Sequence, residues 1–192
     1  MINAFFLLWL TLIFNCCIAQ SSFSDSLSNA AINLTKQQVT YDPAYFSIPY
    51  PHGDVPVGKG VCTDVVIRAY RKLNIDLQVK VHEDMSDNFK IYPNIWGLKK
   101  PDPNIDHRRV PNLMTFFKRH GKVKSISDKT TDYIPGDIVC WNLGGSTTHI
   151  GIVVNKLSAD GKRYLISHNI GAGQVLEDCL FDFKIIGHYK YN

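Results

Sequence analysis

The chain has 192 residues, of which 45% are hydrophobic and 20% charged. This composition supports one globular domain with a sizeable core and excludes a disordered or fibrous polymer. The net charge of +4 suits an anionic polymer or surface, but Lys and Arg are scattered and no nucleic-acid-binding motif is present, so no nucleic acid partner is expected.

Residues 1–19, MINAFFLLWLTLIFNCCIA, are an uncharged apolar run ending in small residues, with Cys17 and Ala19 placed as in a small-x-small cleavage signal. The run reads as a secretory signal peptide, followed by a single domain over residues 20–192 that is periplasmic or secreted. A lipoprotein signal fits less well because Ile13, Phe14 and Asn15 are bulky ahead of the cysteines. An uncleaved membrane anchor is the other alternative. Cys62, Cys140 and Cys179 remain beyond the leader, and an odd number in an exported chain leaves one thiol free. Cys140 and Cys179 either pair or sit as small buried hydrophobes, which leaves Cys62 as the unpaired thiol.

Ser24 is placed to cap a helix over residues 25–39, with Leu27, Ala31 and Leu34 on one face. Residues 41–60, with four prolines and four aromatics, predict an ordered loop. In residues 62–73, CTDVVIRAYRKL, the apolar Val65, Val66, Ala69, Tyr70 and Leu73 recur at helical intervals, so Cys62 sits at a helix start. Residues 74–110 read as a long irregular stretch. PNLMTFFKRHG then gives a short helix, with Pro111 in its first turn and Gly121 as its stop. The last third holds DIVCWNL, HIGIVVN, RYLISHNI, QVLEDCL and KIIGHYKYN, short β-branched or aromatic runs divided by turn residues. Helices first and about five antiparallel strands afterwards predict an α+β domain, with the N-terminal helices packed on a C-terminal sheet.

A thiol attacks as the thiolate, yet a free cysteine is mostly protonated at neutral pH. A helix N-terminus and a nearby imidazolium both favour the anion, and Cys62 has both if His149, which opens the strand HIGIVVN, lies opposite it. Gly60 would let the chain turn sharply into the helix. A base histidine needs a third group to orient it. His168, near the end of the following strand, can reach across the ladder to His149, whereas Asn169 faces the other way.

Several other residues are candidates for binding. Arg108 and Arg109 can grip a substrate carboxylate through planar guanidinium groups, the structural alternative being an ion pair with Asp106. Tyr50 borders the stretch before Cys62, as do Tyr41 and Tyr45. Asp64 contacts substrate or caps the first helical turn. Trp96 and Trp141 read as core residues rather than substrate platforms.

In order along the chain, YPHGDVP, GVCTDVVIRAYR, DHRRVPNL, PGDIVCW, HIGIVV, SHNIGAG and GHYKY resemble the uncharacterised bacterial family named domain of unknown function 1287. More distantly the chain is similar to the NlpC-type and CHAP-type cysteine peptidases, which mostly cut peptidoglycan stem peptides or their amide links. The resemblance implies a papain-like fold and a hydrolase with Cys62 as nucleophile, His149 as base and His168 as orienting residue. It also implies peptidoglycan or its peptide fragments as the partner. A monomer with no cofactor and no metal is expected. Val61 and Thr63 depart from the Asp and Ser that usually flank the cysteine in the distant relatives. The turn NKLSADGKR also lengthens the gap between the two histidines. The alternatives are a zinc-dependent hydrolase using Cys62, His149 and His168, and a non-catalytic cell-wall binding module.

Overall fold

A computed structural model describes residues 22–192; the leader expected over residues 1–19 lies outside them. No helix among the described residues is long and apolar enough to cross a membrane. The fold is α+β. Helix α1 (Phe23–Leu34) is capped by Ser22, whose Oγ accepts from the Asp25 amide at 3.1 Å. It therefore begins before the expected cap at Ser24 and ends at Leu34, short of Val39. The loop that follows is clasped by two short parallel strands, β1 (Thr40–Tyr41) and β2 (Lys59–Gly60). Helix α2 (Cys62–Arg71) then starts at the cysteine.

The stretch read as irregular contains a third helix, α3 (Leu77–Asn88), capped by Asp76 and turning Leu77, Val81 and Met85 inward. A 3₁₀ turn (Asp106–Arg108) precedes α4 (Val110–His120). The remaining strands are β3 (Lys122–Val123), β4 (Ile138–Gly144), β5 (Thr147–Leu157), β6 (Tyr164–His168), β7 (Val175–Glu177) and β8 (Lys184–Lys190). They form a six-stranded antiparallel sheet in the order β3-β8-β4-β5-β6-β7. The count exceeds the expected five because β3, too short to show an alternation, pairs along the outer side of β8.

Both faces of the sheet are covered. Ile138, Cys140, Ile150, Ile152 and Val154 pack in one core with Cys62, Val65 and Val66 of α2. Val139, Trp141, Val153 and Ile166 pack on the other face with Tyr133, Cys179 and Leu180. Double coverage explains why HIGIVV lacks a clean polar alternation. It also separates Cys140 from Cys179, and both are free. All three described cysteines are thus unpaired and buried: Cys140 and Cys179 are the small buried residues of the second reading and not a pair, so Cys62 is not the only free thiol among them.

The helix start at Cys62 is held by charge. Val61 offers no side-chain acceptor, so the cap works from the other end: the Asp64 carboxylate accepts from the Val61 amide at 2.7 Å. The same carboxylate takes the Arg108 fork, with Nε at 2.9 Å and Nη2 at 3.1 Å. Arg108 Nη1 also donates to the Ala44 carbonyl at 3.1 Å, and the Thr63 hydroxyl donates to the Arg108 carbonyl. Both charged side chains are almost wholly buried. Removing one member of such a pair leaves the other charge uncompensated, at a cost of about 3–5 kcal/mol. Asp64→Asn should lower the unfolding free energy read from urea denaturation by that amount, and an unchanged value would show that this pair does not hold the helix start.

Candidate active site

Cys62, the first residue of α2, opens onto a cleft of about 550 Å³ lined also by Tyr41, Trp96, Arg108, Arg109 and Thr148. The thiol has a backbone hydrogen bond with Ile150 of β5. His149 therefore sits in the chain between Thr148, which borders the cleft, and Ile150, which holds the sulfur. Its side chain, however, takes the face of Trp141, its cross-strand partner, and the two rings lie 5.7 Å apart.

On that face His149 Nε2 meets His168 Nδ1 at 2.8 Å. The register pairs Ile152 with Ser167, so His168 is diagonal to His149 across the ladder. Gly151 makes room for this: a Cβ there would meet Ile166 Cγ2 at 2.6 Å and His168 Cβ at 3.2 Å. His168 Nε2 in turn meets Glu177 Oε2 at 2.9 Å. Because a carboxylate only accepts, this contact places the His168 proton on Nε2. Nδ1 then accepts from His149 Nε2–H, which leaves His149 Nδ1 as the free basic nitrogen. Asn169 points the opposite way and donates to the Gly60 carbonyl at 3.1 Å, tying the end of β6 to the approach to Cys62.

The structure redistributes the expected binding residues. Arg108 borders the cleft, but its guanidinium is spent on Asp64 and on the carbonyls of Ala44 and Asp42, and Asp64 is spent on Arg108 and the helix cap. Both are braces, because a buried charge takes its partner from within the fold. Tyr50 packs against His82, away from the cleft, and Tyr41 takes its place there. Arg109 remains available at the wall: it lies 4.1 Å over the Trp96 ring and makes one contact with Asp106. Trp96 is thus a cleft residue, while Trp141 is core.

Glu177 was not anticipated. The signal was the residue pattern itself, because Glu177 pairs with Ile166 and shares the face of His168 two residues on. Gly60 also differs from expectation: it does not adopt a left-handed conformation, and its need for glycine is close approach, since a Cβ would meet Arg68 Nη1 at 3.0 Å.

Burial opposes charge throughout the site. It pushes the Cys62 thiol up to about 12, against the opposite pull of backbone hydrogen bonds from Ile150 and Thr63. Burial thus outweighs the lowering expected from the helix N-terminus. Burial, followed by the neighbouring His168, holds His149 down at about 3. Burial also lowers His168, although Glu177 pulls the other way.

The resting pair is therefore a neutral thiol and a neutral imidazole. Alkylation of Cys62 by iodoacetamide should keep rising above about pH 8, and a plateau reached below neutrality would reveal a preformed ion pair instead. The buried histidines also bear on stability. His107, like His149, is held down at about 3 by burial. Groups neutral in the fold and charged when unfolded stabilise above the unfolded value of about 6.5, and this stability is lost as pH falls toward about 3, by up to about 1.4 kcal/mol per unit for each group. The melting temperature should fall between pH 6.5 and pH 4.5; a flat profile there would contradict this burial.

Residues 28–191 match the family described as a domain of unknown function (DUF1287). The chain belongs to this family. It is 49% identical over 172 residues to the uncharacterized protein YijF of Escherichia coli (strain K12), a match covering 90% of this chain and 83% of that protein. Among solved structures it is similar to NlpC1 from Trichomonas vaginalis, with 16% identity and a TM-score of 0.45 over 87% of this chain. The match spans 44% of that NlpC1 chain, less than half its length.

Proposed function

We propose that this protein is an exported thiol hydrolase that cleaves an amide bond of peptidoglycan, either within the stem peptide or at its link to the sugar. The observation that carries the chemistry is the hydrogen-bonded row Glu177–His168–His149 beside the strand residue that holds the Cys62 sulfur. This row defines one tautomer and leaves Nδ1 of His149 to take a proton. In the reaction, the Cys62 sulfur attacks the carbonyl carbon and its proton passes to His149 Nδ1, a transfer that requires the ring to approach the sulfur past the β5 backbone, because the two side chains rest on opposite faces of the sheet. The proton is then delivered to the leaving amine, and water, deprotonated by the same nitrogen, releases the acyl group and restores the thiol. The resting pair is neutral, so proton transfer accompanies bond formation and no thiolate accumulates beforehand. Amides at the start of α2 would stabilise the oxyanion.

The substrate half of the proposal rests on the leader expected over residues 1–19, on the mild positive charge and on Arg109 at the cleft wall. Its planar fork suits a carboxylate of a stem peptide. The likeness of the sequence motifs to the NlpC-type peptidases points the same way.

The test is incubation of the purified domain and its Cys62→Ala variant with peptidoglycan, followed by mass spectrometry of the released fragments. Fragments released only by the unaltered protein are expected, and their masses identify the bond; identical profiles would overturn the proposal. His168→Ala should lower kcat by about 10²-fold or more by freeing the His149 ring. Arg109→Lys should raise KM while leaving the melting temperature in place. A fall in melting temperature with unchanged KM would make Arg109 a brace like Arg108.

A further inference from the structure

His168 Nε2, a Glu177 carboxylate oxygen and Cys179 Sγ lie within 4.8 Å of one another. The Cys179 sulfur is 3.6 Å from His168 Nε2, and Glu177 Oε2 is 2.9 Å from the same nitrogen. All three atoms converge on one point beside the row of histidines. Thiolate, imidazole and carboxylate form a set suited to a tetrahedral zinc ion. His168 and Cys179 are buried, whereas 44% of the Glu177 side chain is exposed, giving an entry path and a fourth position for water. Nor is the cluster an accident of a loose loop: pairing of Ile166 with Glu177 and of His168 with Val175 fixes two of its three members on neighbouring strands.

We infer that His168, Glu177 and Cys179 form a binding site for a zinc-like divalent cation, and that its occupation switches the histidine row into the tautomer that cannot act as a base. The metal takes the lone pair of His168 Nε2, so the ring of His168 carries its proton on Nδ1. That proton is donated to His149 Nε2, which becomes the acceptor, and the neutral His149 ring then carries its own proton on Nδ1. The nitrogen that would receive a thiol proton is now occupied. Each histidine keeps one ring proton before and after, and the Cys179 thiol proton is released to solvent, one proton for each cation bound. The site differs from a zinc centre built on Cys62, because Cys62 is not a ligand and the two histidines are not joint ligands: only His168 binds the metal.

The metal site stands independently of the hydrolase proposal; the loss of activity that follows from switching rests on it. Both halves are therefore read without turnover. The chelator-treated domain is titrated with Zn²⁺ by calorimetry and with Co²⁺ by absorbance. One equivalent per chain and a sulfur-to-cobalt charge-transfer band are expected in the unaltered protein and in Cys62→Ser. Cys179→Ser should lose the band and weaken zinc binding by more than about 100-fold, given that even outer partners of metal ligands are worth 10–100-fold. Absence of stoichiometric binding would overturn the site, as would binding that survives Cys179→Ser but is lost in Cys62→Ser. Nitrogen-15 spectra of the histidine rings then read the switch: zinc should move the His149 proton from Nε2 to Nδ1. An unchanged His149 tautomer in the zinc-saturated protein would overturn the switching half. If peptidoglycan is never cleaved, yet zinc binds and the tautomer moves, the hydrolase reading fails and the metal site survives.

Discussion

The buried ion pair between Asp64 and Arg108 is the constraint on which the cleft depends. One carboxylate supplies the missing cap of the helix that begins at Cys62 and accepts the fork of an arginine from a different segment. That arginine also holds carbonyls of the proline-rich loop. Helix start, loop and 3₁₀ turn are thereby fixed to one another at the wall of the cleft. Because both charges are out of water, the arrangement tolerates loss of neither partner. A capping residue at position 61 could have fixed the helix but not the other two segments.

The sheet divides the chemistry between its faces. The cysteine and its helix lie on one face, in the core shared with Ile150 and Ile152. The imidazoles lie on the other, beside Trp141, with Glu177 at the rim. What connects them is the backbone of β5, where Thr148, His149 and Ile150 in succession meet the cleft, the histidine row and the sulfur. Such a division keeps the rings in a dry environment that holds them neutral, and it places control of their tautomers at Glu177, the one member of the row that reaches solvent. A cation or a proton arriving there can alter the row without entering the cleft.

Much of this was legible in the chain. The order of a cysteine at a helix start, a histidine at a strand start and a second histidine ending the next strand follows from local periodicity and strand length. The helix over residues 77–88 was legible as well, since Asp76 as cap and Leu77, Val81 and Met85 at intervals of four are the usual signals; the prolines and the tryptophan further along obscured it. Tyr50 and Tyr41 could not be told apart by sequence, because position in an irregular loop says nothing about which ring turns toward a cleft. Arg108 and Arg109 are adjacent and chemically identical, yet one is a buried brace and the other a cleft residue.

By itself, the sequence determined the α+β class, the place of Cys62 at a helix start and the pairing of the two histidine-bearing strands, because these depend on contacts between residues close in the chain. Only the tertiary structure decided which charges are spent internally and which thiols lie together, for these depend on partners tens of residues away. It also decided the protonation of Cys62. A helix N-terminus lowers a thiol, and that is a local effect; burial raises it, and burial is known only once the sheet has closed over the sulfur.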